Sequence, residues 1–100
     1  MDLAHAVVVV GPILRWAYSL LMFYLSICEL ENDNLKKSEE FLVQLAQNKT
    51  HIFWEQSHWY LALNYLKQKN EISAKSELEF IIQEGMSKEN EARLILKNLN

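Results

Sequence analysis

At 100 residues and 11.8 kDa, half hydrophobic and 23% charged, the chain is sized for one compact domain or a short repeat array. Two Gly and one Pro exclude an all-β sandwich, which needs a turn signal every ~8–12 residues. Three bases face six acids in residues 1–47 and seven face seven in 48–100, a formal charge of −3, so neither half carries a basic footprint for nucleic acid.

Ala6 to Cys28 contains a single charge, Arg15, and is long enough to cross a bilayer. Gly11-Pro12 and Arg15 oppose a span, the arginine by ~2.5–3.5 kcal/mol near its middle. A signal peptide fits worse, because Met1 to His5 holds no Lys or Arg and no small-residue cleavage site follows the apolar run. Residues 1–17 read as an apolar lead-in, floppy or buried, in which the β-branched run Val7 to Val10 has no second strand to pair with.

Pro12 suits the first turn of a helix, and Ile13 to about Glu31 holds no further breaker, which predicts a first long helix. After the polar break Glu31 to Asn34, Leu35, Phe41, Leu42 and Leu45 recur at helical spacing through Gln47. Asn48-Lys49-Thr50 breaks the pattern again, and Thr50 is placed to cap a third helix carrying Phe53, Trp54, Leu61, Tyr65 and Leu66. Lys69-Asn70 ends it. A fourth helix runs from about Glu71 to Gln83, with Gly85 at a left-handed C-cap. Ser87 then caps a fifth, whose apolar set is Ala92, Leu94, Ile95 and Leu99.

Set against itself at an offset of 36, the chain pairs Phe23-Tyr24-Leu25-Ser26 with Trp59-Tyr60-Leu61-Ala62. The register continues through Leu30 and Leu66, Asn34 and Asn70, Ser38 and Ala74, Leu42 and Leu78, and Gln47 and Gln83. Small residues recur where two helices must approach, large apolar ones where they interlock, and Asn at the turn. The pattern describes a repeated pair of antiparallel helices.

These residues resemble the tetratricopeptide repeat, whose first helix carries Leu-small-x-x-Tyr and whose second carries Ala-x-x-x-Phe. Leu61-Ala62-Leu63-Asn64-Tyr65 matches the first element, and Ala74 to Leu78 matches the second with Leu in place of Phe. In the earlier unit Leu25-Ser26 and Ser38 to Leu42 fit, while Glu29 stands where Tyr is usual, and neither unit has the closing Pro. The run Trp59 to Leu66 is similar to repeats of bacterial proteins that carry such an array behind a membrane segment. The resemblance covers about residues 18–99. It implies an all-α fold, with residues 18–100 forming two antiparallel helical hairpins, a fragment of an α-solenoid, and a C-terminal capping helix.

The chemistry-bearing residues are sparse. His51, Glu55 and His58 fall on one helical face at i, i+4 and i+7, but the carboxylate lies between the histidines and the pattern is not His-Glu-x-x-His, so a satisfied surface set is the simpler reading than a metal site. Glu39-Glu40 and Glu77 with Glu79 have Lys neighbours and read as solvated faces. Cys28 is alone, which excludes an intramolecular disulfide and zinc-finger spacing and leaves it a small buried hydrophobe. Asn48-Lys49-Thr50 also fits the glycosylation sequon, a pattern frequent by chance. No phosphate loop or nucleophile elbow is present, so neither an enzyme nor a cofactor is expected.

If the resemblance holds, the first helix of each pair lines a concave side, where Phe23, Ile27, Trp59 and Leu63 would project with Gln56 and Lys67 at the border. Apolar anchors with a flanking charge are what a peptide-binding groove requires. The expectation is a noncatalytic interaction module or scaffold for a protein or peptide partner, or for self-association, in the cytoplasm. The alternative is a membrane-tethered repeat protein with residues 6–28 as its membrane segment. Against the groove stands a plainer use of Phe23 and Trp59 as plugs between neighbouring hairpins.

Overall fold

A computed structural model describes residues 2–99 and contains five helices: α1 (Leu3–Glu31), α2 (Leu35–Ala46), α3 (Trp54–Lys67), α4 (Glu71–Gln83) and α5 (Glu89–Leu99). No strand occurs among the described residues, and the fold is all-α. The outer limits of the two expected segments, Met1 and Asn100, lie outside them.

Each helix packs against its neighbour in the chain, and α1 also touches α3. The first two helices reverse direction tightly. Ser38 Oγ donates to the Ser26 carbonyl at 2.8 Å, and both serines are fully buried and symmetric about the turn, so α1 and α2 run antiparallel. His58 and Glu77 are symmetric in the same way about the α3–α4 turn and join at 2.6 Å. Between α1 and α3 the contacts advance together, Phe23 to Tyr60 and Leu30 to Lys67, so these two helices run parallel.

The turns that end α1, α3 and α4 share one geometry. Asp33, Lys69 and Gly85 have φ of 62°, 61° and 63°. In each, the following N–H reaches back five residues, from Asn34 to Glu29, from Asn70 to Tyr65 and from Met86 to Ile81, which closes a Schellman motif and satisfies carbonyls the helix end leaves open. The first two closures are 36 residues apart. At the same offset Ser26 and Ala62, Ser38 and Ala74, and Leu42 and Leu78 are all fully buried.

Three helix starts differ from the sequence expectation. Helix α1 begins at Leu3, nine residues before Pro12, so the lead-in and the first hairpin helix are one continuous rod across residues 17 and 18. With no strand to pair with, Val7 to Val10 satisfy their backbone by i→i−4 bonds, at the small propensity cost of β-branching. Val8 and Val10 are exposed rather than buried, and the side chains of Val7 and Val9 lie outside the described set. Helix α3 begins at Trp54. Thr50 does not cap it, because its N–H and Oγ1 both donate to Asn48 Oδ1 at 3.0 and 2.7 Å in an Asx turn. Helix α5 begins at Glu89, two residues beyond Ser87.

The apolar centre lies at the α3–α4–α5 end: Ala62, Leu78, Ile81, Met86 and Ala92, with Trp54, Trp59, Ile95 and Leu99 packed against it. Polar groups tie α2 to α3. Fully buried Asn64 donates from Nδ2 to the Leu35 carbonyl at 2.9 Å, while Gln68 Nε2 donates to Asn64 Oδ1 and to Glu39 Oε1. Lys67 Nζ donates to the Leu30 carbonyl and to Asp33 Oδ1, both at 3.3 Å, which fastens the end of α3 to the end of α1.

Candidate functional site

The residues expected to form one concave face are distributed over separate settings. Phe23 is half-buried, its ring stacked on Phe53 with centroids 4.6 Å apart and edge-on to Tyr60 at 5.7 Å. It is a plug between α1, α3 and the loop before α3. Ile27 and Leu63 are half-buried, and Lys67 is engaged by Asp33 and Leu30.

Gln56 and Trp59 come together elsewhere. The left-handed turn at Gly85 carries the chain back over α3, so that Met86, Ser87 and Lys88 stand opposite Glu55, Gln56, Trp59 and Tyr60 around a cleft of ≈ 170 Å³ whose floor includes Ile81. Lys88 Nζ lies 5.5 Å from the centroid of the Trp59 ring, a cation–π contact. The Ser87 N–H donates to Glu55 Oε1 at 3.3 Å and fixes one rim. Trp59 is half-buried, with part of its ring against the apolar centre and part facing the cleft. Sequence reasoning misses Met86 and Lys88 as cleft residues, since their place in the chain reads as the entry to a capping helix; the signal is Gly85, whose positive φ folds the next three residues back.

The three residues weighed as metal ligands face different partners. His51 Nδ1 accepts from the Phe53 N–H at 3.1 Å, which leaves Nε2–H to donate to Ser19 Oγ at 2.7 Å and latches the α2–α3 loop to α1. Glu55 is held by Ser87, and His58 Nδ1–H donates to Glu77. His58 is buried between Trp54 and Phe80, with Nε2 lacking a partner. Among the described residues no three His, Cys, Asp or Glu converge. Glu77 is therefore not on a fully solvated face; it completes a part-buried contact between α3 and α4. Burial, with Glu39 and Glu77 beside it, pushes the Tyr65 phenol above its ordinary value near 10, so it stays a protonated donor next to these acids.

Much of α1 leaves apolar surface open. Leu3, Val8, Ile13, Leu14, Tyr18 and Leu21 are more than half exposed, and Cys28 is half-buried. By length and composition α1 holds a candidate membrane span at Val10–Glu31. Met22 and Ser26, however, are buried in the protein body, so one face of the last third of the expected segment 6–28 is already packed, while Tyr24 and Leu25 stay exposed.

No protein-family model, no curated protein and no solved structure matches the chain.

Proposed function

We propose that the chain is a noncatalytic protein-interaction module, two tetratricopeptide-like hairpins closed by α5, whose contact surface is the cleft at Trp59. The hairpin reading draws on the two left-handed closures 36 residues apart and the equal burial of Ser26 with Ala62 and Ser38 with Ala74. The binding reading rests on one observation: a half-exposed tryptophan beneath a lysine, in a cleft with a carboxylate and an amide at its rim. An aromatic anchor beside paired polar groups is the composition of an interface hot spot. Its occupant is a protein segment that inserts an apolar side chain against Trp59 and offers an acceptor to Lys88. Phe23, half-buried against Phe53 and Tyr60, does not line this cleft and touches it only through the Tyr60 ring.

The test compares proteins retained by the immobilised chain and by its Lys88→Glu variant. Lys88 is exposed, so the substitution forfeits only its cation–π contact, about 0.5–1 kcal/mol, and leaves the chain folded. A specific protein held by the first and lost by the second supports the assignment. Equal retention on both, or retention on neither, contradicts it.

A further inference from the structure

We infer that the outward face of α1 is a self-complementary seam that pairs with α1 of a second copy of this chain. This rests on surface geometry independent of the Trp59 cleft. Positions 3, 10, 14, 17, 21 and 24, occupied by Leu, Val, Leu, Ala, Leu and Tyr, are all exposed, and they fall on the alternating three- and four-residue spacing of a heptad seam. In the sequence Val7 and Cys28 hold the two remaining positions of the same register. Eight seam positions thus follow one another over the 26 residues from Leu3 to Cys28 of a single helix.

The seam lies on the side of α1 opposite the body. Met22, Ser26 and Leu30, which pack inward, and Ser19, which meets His51, occupy the other face, and the only charge between Leu3 and Cys28, Arg15, falls on that inward side by helical spacing. Nothing charged interrupts the outward face. A strip ~39 Å long over half the circumference of a helix ~10–12 Å across offers roughly 600–700 Å² per chain, close to the ~800 Å² per partner of a stable interface.

A bilayer fits this helix less well. The His51–Ser19 contact places the body against α1 from Ser19 onward, so only Leu3 to Tyr18 stand free, and those 16 residues reach ~24 Å, short of a ~30 Å hydrocarbon core, with Arg15 inside them. The seam also continues through Tyr24 beside the docked half of α1, a stretch that a helix standing upright in a membrane would leave outside. A second copy uses its full length. At the other end α5 presents Glu91, Arg93, Lys97 and Asn98 to solvent beside a single exposed Leu94, while Ile13, Trp16 and Leu20 add exposed apolar side chains next to the seam, so the main apolar face lies on α1 and pairs as a two-fold dimer.

The full chain in detergent-free buffer is weighed by multi-angle light scattering beside Leu14→Lys/Leu21→Lys and the single variant Ala17→Glu, with Ile72→Lys as control. All four positions are exposed in the single chain, so its fold does not depend on them, and far-UV dichroism checks this. The expected result is twice 11.8 kDa, 23.6 kDa, for the natural chain and the control, and 11.8 kDa for the seam variants. A natural chain of 11.8 kDa, or a seam variant that stays at 23.6 kDa, overturns the proposal. So does a chain that needs detergent for extraction, or that floats with phosphatidylcholine–phosphatidylglycerol vesicles as a monomer, which assigns the face to lipid.

Discussion

Asn64 is a polar side chain without solvent, and its position explains why it is tolerated there. Its amide serves the Leu35 carbonyl and its oxygen accepts from Gln68, so two elements lose their mutual hydrogen bonds if it is removed. Asn64→Leu should destabilise the fold by ~1–3 kcal/mol, read as a lowered urea midpoint, because the groups left behind stay buried. An unchanged midpoint would mean that the carbonyl finds another donor. Trp59 behaves differently because it is shared between core and cleft. Trp59→Ala should cost ~2 kcal/mol, less than the ~3–5 kcal/mol of a fully packed tryptophan. The segment before it shows how residue types mislead: His51, Glu55 and His58 share a helical period in the sequence, yet α3 starts only at Trp54, and the loop turns His51 toward α1.

Between elements, the small residues set the distances. Ala62 and Ala74 are both fully buried at the α3–α4 contact, and enlarging either to Leu should overpack it by ~1–3 kcal/mol, seen as a lower denaturant midpoint in both variants. At Gly85, with φ of 63° and a Cβ that would meet only Glu89 Oε1 at an ordinary contact distance of 3.9 Å, the cost of a side chain is conformational: Gly85→Ala should lose about 1 kcal/mol while the helices on either side stay formed. Helix number and the breaks near residues 33, 48, 69 and 85 were legible because polar turns interrupt apolar periodicity there. Helix starts were not. Thr50 and Ser87 have capping side chains, but Asn48 captures Thr50 in a competing Asx turn two residues away, and Glu55, 32 residues distant, captures the Ser87 N–H, a contact outside the local window on which capping rules depend. Pro12 likewise sits inside α1, since the apolar residues before it have no alternative pairing. Of the six candidate site residues, Gln56 and Trp59 share a cleft. Phe23 and Lys67 are occupied by Phe53 and Asp33, neighbours that no spacing argument brings together.

The whole molecule is elongated, 59 × 29 × 16 Å, because α1 extends well past the helices it packs on. Its two ends are chemically unlike: α5 covers the apolar centre with Ala92, Ile95, Leu96 and Leu99 and turns charge outward, while α1 turns an apolar strip outward. Deleting residues 87–100 should uncover Ile81 and its neighbours in the centre and drive the chain to aggregate, detected as growth in scattering mass; a truncated chain that stays soluble at its original stoichiometry would contradict a capping role. The two proposed faces lie at different places, one for a partner at Trp59 and one for a second copy along α1. The partner face carries the functional account, and it is tested most directly by photo-crosslinking in a lysate. A photoreactive side chain replaces Gln56, at the cleft rim, or Lys37, exposed on α2 and outside the cleft. The account predicts a discrete adduct from position 56 and none from position 37. Adducts of equal yield from both positions, or an adduct from position 37 alone, would contradict it.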